Sequence, residues 1–455
     1  MLRVPIVDRK GARERRPEPQ EKVSASPRLG RPSQPAPAEP SHQRETSRPR
    51  ELPRPHEPSH VSEPPRVSDH AARLRSEPIA AAEPHPLDRV LLVLTLMLVG
   101  VGVVMVYSSS TVIGAARFHS AGFFMLRQVV YTAIGLIVFA AAARVPVDVV
   151  RRSGPILLGV GLVLLIAVLT TQSARNGARR WIDVFGLVSF QPSELVKFAV
   201  VLFLADRLAR QQERLASFAH GLVPHLVILA VLLGLIVLEP NLSTAVAIAL
   251  IAGVLMICAQ VRVRHLFLLL LIAAPLIALL ILMEPYRVVR LVGFLPIMDR
   301  ADPTTYQIQQ GFVALGSGGL FGRGLGRSLQ KFYFLPEPYT DSIYPIIGEE
   351  FGLVGTLAVL GLYAAFGWRG VQIARRQATL YRLLLAVGLT ASVMVYAALN
   401  IAVMTGLLPA TGLPLPFISY GGSALLFNLT ATGLLLGLSR ERRVERAGFE
   451  RTVTS

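Results

Sequence analysis

This sequence predicts an all-α, polytopic membrane protein with about ten transmembrane helices, on three observations. More than half of its 455 residues are apolar and only 16% are charged, too little charge to keep a chain of this length in water. From Asp88 onward, apolar runs recur that are long enough to cross a ~30 Å hydrocarbon layer as helices. Lys and Arg gather in alternate loops between those runs, as they do around membrane helices.

The elements follow in order. Residues 1–86 hold 17 of the 32 prolines, with many Arg, Glu and Ser and hardly an aliphatic run. Such a segment cannot bury enough apolar surface to offset the entropy of ordering, so it reads as a disordered cytoplasmic tail. It lacks the apolar stretch and cleavage site of a secretory signal. Residues 87–440 form the membrane domain, with spans expected near 88–109, 127–144, 154–172, 191–207, 221–238, 242–260, 264–284, 345–368, 381–406 and 418–438. The fourth is short and carries Lys197. Residues 441–455 are a short basic cytoplasmic tail.

With the first tail inside, the inner loops and C-terminus hold 17 Lys and Arg and the outer loops 11, six of those in the one long loop after the seventh span. Both termini are therefore expected in the cytoplasm. The formal charge of +17 follows this loop pattern and does not indicate nucleic-acid binding. The single cysteine, Cys258, excludes an internal disulfide.

Three regions could hold chemistry. The long outer segment, about 285–344, mixes glycines (Gly316, Gly318, Gly319, Gly322, Gly324, Gly326) with basic residues and acids. The glycines fit either tight turns or phosphate contact; they do not sit between a strand and a helix, as a nucleotide loop requires. Asp341, at the start of the eighth span, suits a general base or metal ligand, or a helix N-terminal acid that caps the first turn. Glu349 and Glu350, two turns on, should face protein, because lipid-facing carboxylates are costly.

The second region is the outer loop before the fourth span. Its Arg175, Arg179 and Arg180 run against the charge bias and suit anionic headgroups or a pyrophosphate. Trp181 fits an interfacial anchor. Glu194 and Lys197, three apart on a helix, can pair within the membrane, either as a clamp or as part of a site. Glu239, Asn241, Glu284, Arg287 and Arg290 are further polar points at span ends. The third region, 407–428, carries prolines and Gly421–Gly422 without a basic residue, and is expected to re-enter or line a cavity.

Together these regions resemble the SEDS family (shape, elongation, division and sporulation), whose members include FtsW, RodA and SpoVE. The stretches that carry the resemblance are Gly177–Ile182 with Gln191–Lys197, Leu335-Pro336-Glu337 through Gly348-Glu349-Glu350, and Pro414–Ser423. It covers about 88–440. Gly326, Lys331, Leu335-Pro336-Glu337 and Glu284-Pro285-Tyr286-Arg287 are more like FtsW than RodA. The resemblance implies a peptidoglycan glycosyltransferase that polymerises lipid II at the outer face of the bacterial inner membrane, for septal wall synthesis. It implies as partners a class B penicillin-binding protein and the division-complex membrane proteins.

It also places the catalytic aspartate on Asp341 and substrate contacts on Arg179, Arg180, Glu194, Lys197, Lys331, Glu337, Ser419, Gly421 and Gly422. A divalent cation (Mg or Mn) would help hold the pyrophosphate, and no organic cofactor is implied. Four positions depart from the family pattern: Tyr339 where histidine is usual, Ser342 where phenylalanine is, Asn241-Leu242-Ser243-Thr244 for Asp-Leu-Gly-Thr, and Phe190 where arginine is common. A lipid II flippase, a catalytically silent scaffold and an elongation role are the alternatives.

Overall fold

The computed structural model describes residues 87–170, 180–184, 188–284, 287–289 and 303–440. The two expected tails, 1–86 and 441–455, lie outside the described residues, as do Arg175, Arg179, Gly177, Pro285, Tyr286 and Arg290. All ten expected spans are helices. They are α1 (Arg89–Phe118), α2 (Phe123–Ala142), α3 (Val147–Thr170), α4 (Pro192–Arg210), α5 (Val223–Leu238), α6 (Leu242–Cys258) and α7 (Val263–Leu282). A helix of the long loop, α8 (Pro303–Ser317), precedes α9 (Ile343–Arg375), α10 (Leu380–Met404) and α11 (Gly422–Leu438).

Among the described residues seven helices are long and apolar enough to cross a membrane on length and composition alone, α5 among them once the π-helical turn Phe218–Leu222 that leads into it is counted. The other three spans are α6 and α11, which are short, and α4, which carries charge. Burial explains α4. From Pro192 to Asp206 every residue is buried, so its Glu194 and Lys197 meet protein and not lipid. At the opposite extreme His265 is the one buried residue of α7, whose other side chains are more exposed.

Small residues let the helices close on one another. A Cβ on Gly433 of α11 would stand 2.4 Å from Phe139 O of α2, so that seam needs glycine. At one end Asp88 caps α1, accepting from Leu91 N (3.0 Å), and receives the Arg369 guanidinium of α9 at 2.8 and 3.0 Å. Burial would raise the Asp88 carboxyl, but Arg369 and the Leu91 amide outweigh it and hold the group below its ordinary range. Asp88 N also donates to Ser439 Oγ just after α11 (3.2 Å), which brings both ends of the membrane domain together.

The structure adds three things to the reading of the sequence. A two-stranded antiparallel hairpin, β1 (Ile182–Val184) and β2 (Val188–Phe190), precedes α4. The helix α8 occupies what reads as an irregular loop. The last span begins at Gly422, not near 418, because the backbone from Thr405 to Gly421 is irregular; Leu407 and Leu408 are exposed, while Leu413, Leu415, Phe417 and Ile418 pack inside. Its polar groups are met by side chains: Asn400 Nδ2 donates to Leu413 O (2.7 Å) and the Tyr363 hydroxyl to Pro416 O.

Candidate functional site

The end of the bundle opposite Asp88 gathers the polar residues singled out by the sequence. Asp341 stands two residues before α9, only partly exposed. Its Oδ2 accepts from Gln307 Nε2 of α8 (3.3 Å), which also donates to Ser342 Oγ (2.9 Å). Its Oδ1 accepts from Thr340 Oγ1 (3.2 Å), and that hydroxyl lies equally close to Glu337 Oε2. Burial first, and then the neighbouring Glu337 charge, push the Asp341 carboxyl up to about 6, against the pull of Gln307 and Thr340. A carboxylate so poised takes protons readily near neutral pH.

The backbone of this site is clamped from two sides. Asn400 Nδ2 donates to Asp341 O (2.8 Å) as well as to Leu413 O. Ser419 Oγ donates to Thr340 O and accepts from Leu415 N, while Tyr420 N donates to Tyr339 O (2.9 Å). The irregular loop before α11 thus holds the Asp341 segment in register. Gly412 also lies beside the carboxyl: a Cβ there would stand 3.7 Å from Asp341 Oδ2, and its φ of +68° admits no side chain without strain. Two larger residues hold positive φ beside the site, Glu337 at +47° and Phe417 at +66°, a kind of strain that collects at functional sites.

Tyr339 closes one wall against Phe124 (centroids 4.5 Å apart) and Tyr420 (5.8 Å). Burial, chiefly, pushes its hydroxyl up to about 12, so it stays protonated.

Other sequence-predicted residues fall around this site. Ser419 touches the Asp341 segment directly. Gly421 precedes α11 as its N-cap and Gly422 begins it, where a Cβ on Gly422 would meet the Tyr131 ring at 2.8 Å. Ser423, the next residue, ties the hairpin in: Gln191 N donates to its Oγ (3.2 Å), which donates to Ser189 O (3.0 Å). Arg180, just before the hairpin, reaches the α5–α6 turn, where Nε donates to Glu239 O (3.1 Å) and Nη2 to Pro240 O. The Glu239 carboxyl is fully buried, and its oxygens find no hydrogen-bond partner among the described residues. Burial pushes it up to about 8 despite Arg180.

Glu194 and Lys197 form a closed pair (2.6 Å), 2–3% exposed, within the first two turns of α4. Lys197 Nζ also lies 3.5 Å from Asn428 Oδ1 and 4.0 Å from the centre of the Tyr396 ring.

Lys331 is the residue whose setting differs most from expectation. It is buried, its Nζ donating to Gly326 O (2.6 Å) and standing 3.7 Å from Glu350 Oε1. An anion would have to displace Glu350 to reach it. The glycines before it serve turns and close backbone approach: Gly319, Gly322, Gly324 and Gly326 all have positive φ. Glu349 and Glu350 face protein, as expected, and accept from Leu329 N (2.9 Å) and Ser108 Oγ (2.6 Å) respectively. Gln307 and Asn400 were not singled out by the sequence. An amide in an otherwise apolar run, as Asn400 is, was the available signal.

A divalent cation fits here only with substrate completing its shell. Among the described residues no three His, Cys, Asp or Glu side chains cluster. Asp341 and Glu337, sharing the Thr340 hydroxyl, offer the one or two carboxylates that Mg²⁺ takes beside phosphate oxygens.

Residues 89–444 match the Cell cycle protein family that groups FtsW, RodA and SpoVE. Stage V sporulation protein E of Bacillus subtilis (strain 168) is 39% identical over 358 residues, 78% of this chain and 98% of that protein. The probable peptidoglycan glycosyltransferase FtsW of Coxiella burnetii is 38% identical over 359 residues, 78% of this chain and 96% of that one. A chain of a peptidoglycan synthase complex, solved for its coordination of polymerization and crosslinking, superposes with a TM-score of 0.64 at 26% identity, over 79% of this chain and 99% of that chain. The rod shape determining protein RodA of Thermus thermophilus gives 0.57 at 25% identity, over 79% and 98%.

Proposed function

The chain belongs to the FtsW/RodA/SpoVE family of cell cycle proteins, and from that membership we propose that it is a glycosyltransferase polymerising lipid II into glycan strands at the outer face of the bacterial cytoplasmic membrane. The observation that carries the reading is Asp341, a carboxyl held near pH 6 by burial and clamped by Gln307, Asn400 and Ser419 at one mouth of the bundle. The donor sugar leaves as a lipid pyrophosphate, which needs charge neutralisation more than a proton, so a single base suffices. Asp341 takes the proton of the acceptor's sugar hydroxyl. The freed oxygen bonds to the donor's anomeric carbon as the bond from that carbon to the pyrophosphate breaks. One displacement inverts the configuration.

Arg180, with Glu337, Gly421 and Gly422 at the same mouth, would hold the phosphates and sugars, helped by Arg179, its neighbour in sequence, and Ser419 would keep Asp341 in place. Glu194 and Lys197, closed on each other in this structure, would meet substrate only by opening that pair. Lys331 would reach substrate only by releasing Glu350. A bound Mg²⁺ or Mn²⁺ would neutralise pyrophosphate charge, held by substrate oxygens with Glu337 as protein ligand, leaving Asp341 free to act as the base. A class B penicillin-binding protein and division-complex proteins are the partners this reading requires, and both termini would be cytoplasmic. The sequence matches to FtsW-named proteins favour septal over elongation synthesis.

A transport reading has one observation in its favour, the buried Glu194–Lys197 pair inside the membrane. Lipid II polymerisation by the protein with its transpeptidase partner, wild type against Asp341→Asn, separates the two. Polymer from wild type alone supports the base. Equal polymer from both removes Asp341 from the chemistry, and none from either favours transport.

A further inference from the structure

The segment from Gly318 to Phe334 packs on α9 in a way that the proposed chemistry does not use. At Gly352 (φ 68°, ψ −161°) α9 breaks, leaving amides after the break and carbonyls before it without helical partners. The loop supplies them. Leu353 N donates to Gly319 O (2.9 Å) and Val354 N to Leu320 O (3.1 Å), while Arg323 N and Gly324 N donate to Glu349 O (3.0 Å) and Glu350 O (2.9 Å). Buried Glu349 and Glu350 pin the rest of the turn through Leu329 N and Lys331. The turn is therefore fixed to the bundle.

Its depth can be counted along the helices. Asp88 and Arg369 pair at one end, and Ser108, which binds Glu350, is twenty residues up α1, about 30 Å at 1.5 Å per residue. Gly352 is seventeen residues from Arg369 along α9, about 26 Å. A hydrocarbon layer is ~30 Å thick, so a turn bonded to residues 349–354 lies at its far edge. Irregular backbone is tolerated there only when its polar groups are met by protein, as these are. Yet Leu320 and Phe321 at the tip are 62% and 81% exposed; just beyond them Arg327 is exposed, while Arg323, 37% exposed, already reaches Glu349 Oε1 (3.6 Å) and donates to Ser317 O (3.3 Å). Apolar tips below basic side chains match the boundary between acyl chains and anionic headgroups.

We propose that this turn is a membrane seat: Leu320 and Phe321 enter the edge of the hydrocarbon layer, and Arg327 lies on the phosphates of anionic glycerophospholipids. The seat depends on the helices crossing a bilayer and not on the reaction at Asp341. It fixes the height of Asp341, eleven residues along the chain from Gly352, above the lipid surface.

The test uses the full chain with Cys258→Ser and a nitroxide at Phe321→Cys, in nanodiscs of phosphatidylcholine with and without phosphatidylglycerol. Leu320→Cys carries a second label at the same level should the first variant fold poorly. Collisional relaxation is expected to show the label open to oxygen and shielded from a water-soluble nickel chelate. Phosphatidylglycerol should deepen it, and Arg327→Gln should remove that increment. A label open to nickel overturns the seat. So does one shielded from both reagents only after the class B transpeptidase partner is added, because the turn would then dock protein. Depth indifferent to phosphatidylglycerol overturns the headgroup contact.

Discussion

Asp341 holds its proton more tightly in the folded chain than a free aspartate does, and two measurable consequences follow from its value of about 6. As a base it must be ionised, so kcat/KM for lipid II should fall about tenfold per pH unit below pH 6 and level off above it. In stability the sign reverses. The contribution is fully present below the unfolded value near 3.8 and is lost as pH rises through 6. Asp341→Asn should therefore stabilise the fold at neutral pH by up to about 3 kcal/mol and bring nothing near pH 3.5, read as Tm in detergent against pH. Gln307→Leu removes a hydrogen bond that favours the carboxylate. It should move the kinetic midpoint above 6 and lower the rate by roughly 10–100-fold; an unmoved midpoint would make Gln307 a bystander. Lys197 is a different case, because its partner stays buried when it goes. Lys197→Met should cost about 3–5 kcal/mol, and adding Glu194→Leu should restore much of it. At this scale the sequence was informative where chemistry demanded an unusual residue, as with Asp341 and the Glu194–Lys197 pair. Gln307 and Asn400 lie 34 and 59 residues from Asp341, and only the packing of α8 and α10 brings them to it.

The helices were legible as apolar runs because lipid leaves backbone no other option. The break in α9 was not legible, since a glycine in a transmembrane run is common and only its φ and ψ reveal the break. Gly352 has 68° and −161°, and an added Cβ would stand 2.4 Å from Gly322 N and 2.5 Å from Leu320 O. Gly352→Ala should therefore destabilise by at least about 2–3 kcal/mol. Gly361→Ala, nine residues later with nothing within 4 Å, is the control, expected to be neutral or to stabilise by up to about 1 kcal/mol. Equal Tm for the two variants would mean that the turn from Gly319 to Gly322 adapts to a side chain. The hairpin before α4 and the helix α8 escaped notice for a related reason. The strands hold three residues each and α8, at fifteen, lacks a continuous apolar run, so tertiary contacts fix them, Ser423 for the hairpin and Asp341 with Ser342 for α8.

Over the whole molecule, one ion pair and one hydrogen bond set the relation between the termini and the candidate site. Asp88 joins the start of α1 to Arg369 of α9 and to Ser439 after α11, so the membrane domain begins and ends at one face, while Asp341, Arg180 and Ser419 gather at the other. A single measurement of orientation therefore fixes the side of every site residue. The charge pattern argues the direction, because Arg144, Arg151, Arg152, Arg207 and Arg210 all lie near the Asp88 face, and such loops stay in the cytoplasm. A green fluorescent protein fused after Ser455 should fluoresce. In a Cys258→Ser background, Glu337→Cys should react with a membrane-impermeant maleimide added to intact spheroplasts. The opposite pair of results would put Asp341 in the cytoplasm, where a base could not act on a strand growing outside. The glycosyltransferase reading would then fail whatever the geometry around Asp341.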